Sequence, residues 1–269
     1  MGVAQAAEEG PYVRRDEPAD GVVRLTLDRP RQRNALSQGM GDALRQELAA
    51  IRQSGQARAV IVAAAGSAFC AGADLGALGA AGQSWDERRQ ALTAYYRAFL
   101  DLRELPIPSI AAVNGAAIGA GLNLALSCDL RVAGRSARFA ASFVRVGIHP
   151  GGGCTWFLTQ TVGPARTREL LLLGEVVEAE QAERMGLVNR LVDDQELGLA
   201  AVALAAAVAA GPAAVIRDIR QTVDLAQSHG LEAVLAFETG AQAASLMADD
   251  AREGWQAFLE KRPPVFGGR

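Results

Sequence analysis

The sequence predicts an α/β protein whose second half is helical. In the first half, short apolar, β-rich segments are each followed by a turn and then by a helical pattern. From Pro164 onward nearly every segment reads as helix, with VNRLV (188–192) the exception. No Pro- or Ser-rich linker divides the chain, so residues 1–269 form a single domain. Its parts are a loose tail over 1–12, a core over about 22–195 and a helical region over about 196–269. A doubly wound sheet and a spiral of ββα units both fit this pattern.

The elements follow in order. VVRLTL (22–27) alternates and is rich in β-formers, so it is a strand, ended by DRPRQRN. Ser37 is the N-cap of a helix reaching Ile51. RAVIVAAAG (58–66) is a buried strand closed by glycine, and SAFCAGADLGALGAAGQS follows as a Gly/Ala-rich turn. A long helix then covers Trp85–Leu102 until LPIPS breaks it, and SIAAVNG (109–115) is the next strand. IGAGLNLALSCD (118–129) reads as helix, LRVAG as strand and ARFAA as a short extended piece.

Composition narrows the function. With 27 basic and 30 acidic residues the net charge is −3, which leaves no broad basic face for nucleic acid. Three cysteines are too few, and too odd in number, for a disulfide framework. His149 and His229 lie far apart, and no Cys/His cluster has metal-ligand spacing, so no metal is expected. The segment MGVAQAAEEGPYVRRDEP lacks the apolar block of a signal peptide, and Ala6 stands where myristoylation requires Ser or Thr. LAAVALAAAVAA (199–210) is too short to span a bilayer. A cytoplasmic protein with no membrane partner is expected.

Two segments share one local design: VIVAAAGSAFCAGADL and SIAAVNGAAIGAGLNL each run from an apolar strand through a tight Gly/Ala turn into a helix start. Small residues let another group approach the backbone, and the first N–H groups of a helix are unpaired and electropositive. Two such turns facing each other would form an oxyanion hole. Small residues also serve close helix–strand packing; it is the pairing of two such turns that favours the anion reading. Gly115, Gly119 and Gly121 have the wrong spacing for a dinucleotide fingerprint, and neither a P-loop nor a G-x-S-x-G elbow occurs.

Taken in order, LDRPRQRNALS, AFCAGADL, AAVNGAAIGAGLNLALSCDLRVA, RFAASFVRVGIHPGGG, AERMGLVNRLV and FLEKRPPVF resemble the enoyl-CoA hydratase/isomerase (crotonase) family, over about Val22 to Phe266. The resemblance implies a crotonase-like spiral of ββα units with a helical C-terminal trimerisation region, assembled as a homotrimer or a dimer of trimers. It implies an acyl-CoA thioester as ligand and no separate cofactor, coenzyme A being part of the substrate. By motif position it places the oxyanion-hole N–H groups on Ala73 and Ala120, the latter a glycine in the typical hydratase. Ligand contacts carry over to Ala73, Asp74, Leu75 and Gly76. The CoA nucleotide falls to Arg31 and Arg33 and, from a neighbouring subunit, to Phe258 and Lys261.

One departure bears on the chemistry. Hydratases of the family flank the enoyl thioester with two glutamates; the matching positions here are Asn123 and Phe143. Asparagine hydrogen-bonds water but takes no proton from it at neutral pH, and phenylalanine does neither. A positioned general acid or base contributes roughly 10²–10⁴-fold in rate, so two-glutamate hydration is expected to be weak or absent. Other chemistries of the family use an Asp slightly later, where this chain has Gly151. His149 is the one titratable side chain of that loop. Asp129 reads as structural, Asp86, Glu87 and Glu104 as solvated, and Cys70 and Cys154 as small buried hydrophobes. Two function classes remain. One is an acyl-CoA decarboxylase, or an isomerase with an unrecognised base, that uses the oxyanion hole with Asn123 and His149 holding substrate or solvent. The other is a non-catalytic acyl-CoA binding or delivery protein.

Overall fold

Apolar runs bounded by Gly, Pro and Asp become the strands of two sheets. The structure, a computed structural model, describes residues 11–74 and 83–267. The larger sheet has the order β1 (Val13–Ala19), β2 (Val22–Leu27), β3 (Ala59–Ala64), β4 (Ser109–Val113), β6 (Leu130–Gly134), β9 (Arg190–Val192). β1 is antiparallel to β2, and the other neighbours are parallel. A smaller sheet has the order β5 (Ala116–Ile118), β7 (Arg138–Ala140), β8 (Val176–Glu178). Consecutive strands therefore split between the sheets: β4 joins the large one, β5 the small one, and helix α3 (Ala120–Ser127) follows. β6, β7 and a 3₁₀ turn at Ser142–Val146 repeat the pattern. This is the ββα spiral, and it excludes the doubly wound alternative.

Side-chain alternation assigns the two faces of the large sheet. Val23, Leu25, Leu27, Val60, Val62, Ala111 and Val113 point into one buried cluster. The residues between them, Val22, Ala59, Ile61, Ile110 and Ala112, point into another. The first face is covered by α1 (Gln38–Ser54), through Met40, Leu44, Leu48 and Ile51. Ser37 Oγ caps α1 by accepting from Met40 N–H, and α2 (Trp85–Leu100) begins with a capping box between Ser84 and Glu87. The second face is covered by α6 (Leu197–Ala209), whose Leu197, Ala201, Leu204 and Ala205 recur at helical spacing. The alanine-rich run is thus a core helix lying on the sheet. No single helix among the described residues is long and apolar enough to cross a membrane.

Several expectations are corrected. The helix expected from Ile118 starts at Ala120, because Ala116–Ile118 pairs with β7. A second extended segment, β8, interrupts the helical half; three residues are too few for a period to show. Helix α4 (Cys154–Leu173) begins before Pro164 and breaks at Gly163 (φ 76°), after which Pro164 opens the second segment. β1 was not foreseen. The chain closes with α5 (Ala179–Arg184), α7 (Ala213–Ala226), α8 (Leu231–Leu246) and α9 (Asp249–Glu260). No residue of α7 or α8 is buried; polar ties hold α7, Arg220 to Asp129 at 3.0 Å and Arg103 to Asp224 at 2.5 Å.

Candidate active site

Parallel strands β2, β3 and β4 end on the same side of the sheet, so the turns that follow them cluster at one edge. Asn34 locks the first of these to the second. It sits at φ 53° and is fully buried; its Nδ2 donates to Ala65 O (2.8 Å) and Ala68 O (2.9 Å), and its Oδ1 accepts from Arg29 N–H (2.8 Å). The second and third turns are laced by Cys70 N–H to Ala116 O (2.9 Å) and Ile118 N–H to Cys70 O (3.0 Å). They approach backbone to backbone. A Cβ at Gly121 would lie 2.0 Å from Cys70 O, and one at Gly72 would lie 2.8 Å from Ile118 O and 3.9 Å from Ala120 N.

Ala73 and Ala120 both line a cavity of about 460 Å³ at this edge. Neither backbone N–H donates a hydrogen bond among the described residues. Ala120 opens α3, so its N–H also carries the positive end of the helix. Asn123, Phe143, His149 and Gly151 line the same cavity, with Arg88, Tyr95 and Tyr96 of α2 opposite. Among the described lining residues there is no carboxylate.

Asn123 is buried. Its Nδ2 donates to Gly151 O at 2.8 Å, which anchors the loop after β7 to α3, while its Oδ1 has no partner. Tyr95 Oη is likewise buried without a partner. Burial pushes the phenols of Tyr95 and Tyr96 above their ordinary range, so both stay protonated at neutral pH. His149 is exposed, with Nδ1 2.7 Å from Pro150 O; only a protonated Nδ1 makes that bond, which leaves Nε2 of the neutral ring as an acceptor. A Cβ at Gly151 would fall 2.2 Å from Tyr96 Oη, so a side chain at 151 requires the Tyr96 phenol to move.

The other candidates are more scattered. Asp74 lines a neighbouring cavity of about 280 Å³ together with Tyr95 and Ser37. Leu75 and Gly76 lie outside the described residues. Arg31 and Arg33 are exposed on the turn held by Asn34, and neither side chain makes an ion pair or hydrogen bond among the described residues. Phe258 and Lys261 lie at the end of α9, outside the cavity lining. Asp129 accepts from Ser109 N–H, Ser109 Oγ–H and Arg220, a structural lock between β4, β6 and α7. Glu87 serves the α2 cap, and Glu104 pairs with Arg97 and Arg52. Burial pushes the thiols of Cys70, Cys128 and Cys154 up to about 12, which makes them poor nucleophiles. Among the described residues, no three His, Cys, Asp or Glu side chains gather as metal ligands. A larger cavity of about 520 Å³ lies at the opposite ends of β4 and β6 beneath α7, and the charges lining it include the paired Asp129–Arg220 and Asp224–Arg103.

Asn34, Tyr95 and Tyr96 were not anticipated. Tyrosines on an amphipathic helix read as core, and Asn34 declares itself only through its left-handed backbone.

Known proteins resemble this chain in sequence and fold. The family model described as enoyl-CoA hydratase/isomerase matches residues 17–269. A probable enoyl-CoA hydratase of Rhodobacter capsulatus is 42% identical over 258 residues, covering 95% of this chain and 98% of the relative. The 1,2-epoxyphenylacetyl-CoA isomerase of Escherichia coli is 37% identical over 251 residues, covering 93% and 96%. The crystal structure of enoyl-CoA hydratase from Bacillus anthracis superposes with a TM-score of 0.90 at 33% identity, over 96% of this chain and all of that one. A matching model over nearly the whole chain, on a spiral that brings two small-residue turns to one cavity, leaves a single conclusion: this chain belongs to the enoyl-CoA hydratase/isomerase family.

Proposed function

We propose that this protein binds an acyl-CoA thioester with the carbonyl oxygen on the N–H groups of Ala73 and Ala120, and does not hydrate enoyl thioesters by the two-glutamate route. The observation that supports this reading is the pair of unpartnered N–H groups on one cavity that lacks a carboxylate among its described lining residues. Fixed donors of this kind stabilise charge that develops on the thioester oxygen when a proton or carbon dioxide leaves the α-carbon. Decarboxylation and isomerisation both pass through that charge, with Asn123 and His149 holding substrate or solvent; isomerisation also requires a base, outside the two family glutamate positions, to take the α-proton. The E. coli relative named as an isomerase is in keeping with this. Phe143 favours a second reading, a non-catalytic acyl-CoA carrier, because its ring lines the cavity where a hydratase has an acid.

Coenzyme A enters as part of the substrate, and the reaction calls for no metal or redox cofactor. Arg31 and Arg33 take the nucleotide phosphates, with Phe258 and Lys261 reaching in from a neighbouring subunit of a homotrimer or a dimer of trimers. The free, buried thiols fit a reducing compartment such as the cytoplasm.

Crotonyl-CoA tests the reading directly. Hydration is expected near background, while calorimetry still detects thioester binding. Hydration at about 1 s⁻¹ or faster would show that another residue does the acid–base work.

A further inference from the structure

Isomerisation needs a group that takes a proton from one carbon and returns it to another, and the cavity offers few. Among its described lining residues, the side chains with an ionisable or hydroxyl group are Arg88, Tyr95, Tyr96, Ser142 and His149. A guanidinium has no acceptor for a proton. Burial keeps both phenols protonated at neutral pH. Ser142 is a neutral hydroxyl, which acts only once another group has taken its proton. Asp74, beside Ala73 in sequence, is exposed and lines the neighbouring cavity instead. Histidine is the side chain that exchanges a proton near neutrality. His149 is what remains.

Its loop is also held on both sides. Ile148 N–H donates to Phe143 O at 3.1 Å, and Gly151 O accepts from Asn123 Nδ2 at 2.8 Å and from Cys154 N–H at 3.3 Å. Nδ1 lies 2.7 Å from Pro150 O and carries the proton of the neutral ring, so the lone pair is on Nε2. The side chain is exposed and lines the cavity that Ala73 and Ala120 line, so Nε2 exchanges protons with water between turnovers.

We propose that His149 Nε2 is the base that moves the α-proton of a β,γ-unsaturated acyl-CoA thioester. The inference rests on the isomerase form of the thioester reading above and names the group that transfers its proton. The Cα–H bond breaks and its proton goes to Nε2. Its electron pair forms a double bond to the thioester carbon, while the carbonyl pair moves onto the oxygen facing the N–H groups of Ala73 and Ala120. The oxygen pair then re-forms the carbonyl, the carbon double bonds shift one place, and the imidazolium returns its proton to Cγ. His149 ends neutral, and the product is the conjugated thioester. One base suffices for this shuttle. Adding water asks for a second positioned group, in keeping with the weak hydration expected above.

The test uses the intact protein with 3-butenoyl-CoA in deuterated water. Ultraviolet absorbance follows conjugation, mass spectrometry follows deuterium at Cα and Cγ, and calorimetry with unreactive butyryl-CoA reports binding separately. His149→Ala is expected to slow conjugation and exchange by about 100-fold or more while holding butyryl-CoA affinity within about threefold. Added imidazole, filling the space the ring leaves, is expected to restore part of the rate. A variant that isomerises at the wild-type rate overturns the proposal. So does a loss of rate matched by an equal loss of affinity and unmoved by imidazole, the signature of a structural residue. Wild-type protein that binds butyryl-CoA but neither conjugates nor exchanges 3-butenoyl-CoA also overturns it, and leaves thioester binding standing. Failure to bind butyryl-CoA overturns the thioester reading and this proposal together.

Discussion

Asn34 shapes the site without lining its cavity. Two hydrogen bonds from one buried amide tie the turn carrying Arg31 and Arg33 to the turn that leads to Ala73, and a third, from Arg29 N–H, fixes the amide within its own turn. Asn34→Ala removes all three and leaves buried backbone groups unsatisfied, at about 1–3 kcal/mol each where no water replaces the bond. We expect a total loss of about 3 kcal/mol in chemical unfolding and a parallel loss of thioester affinity. Unchanged stability would show that the two turns hold together without it. Asn123 matters differently. Restoring the hydratase acid as Asn123→Glu would put a carboxylate in the cavity but remove the donor to Gly151 O, so the loop bearing His149 would lose its anchor. The positions of Ala73, Ala120, Asn123, Phe143 and His149 were legible because their motifs are contiguous in sequence. Tyr95 was not, since its part depends on α2 crossing the cavity from a distant stretch of chain.

Elements whose burial is one-sided or complete were readable. VVRLTL is β2 to the residue, and Ser37 caps α1. Edges were not. β1 carries Arg14, Arg15, Asp16, Glu17 and Pro18, a composition that suits an edge strand paired on one side only and hides it from a search for apolar alternation. At the other end of the chain, α9 and the tail after it form a small electrostatic unit. Arg262 donates to both carboxylate oxygens of Glu253, at 2.6 and 2.9 Å, and Val265 N–H donates to the same group at 2.8 Å. The Arg262 guanidinium, then the Val265 amide, hold the Glu253 carboxyl down to about 2. Because the folded value is depressed, the tail is held above the ordinary carboxylate range and released as pH falls towards about 2. The Val265 amide resonance should therefore shift with an inflection near 2, and Glu253→Gln should loosen the tail at neutral pH. An inflection in the ordinary range near 4.5 would refute the coupling.

At the scale of the whole molecule, the last three helices present apolar side chains outward. Leu231 and Leu246 of α8, Met247 beside it, and Phe258 and Leu259 of α9 are all more than half exposed. An apolar surface of this kind is what the proposed trimer would cover. Light scattering should report three or six chains at micromolar concentration, and a stable monomer would contradict the proposed trimer. Inside the cavity, the contact between Gly151 and Tyr96 constrains how a carboxylate could be placed in this loop. An aspartate at 151 collides with a phenol 2.2 Å from its Cβ, whereas a smaller residue at 96 alone opens space beside the loop. The two positions are therefore coupled, and Gly151→Asp is expected to be tolerated better together with Tyr96→Ala than alone.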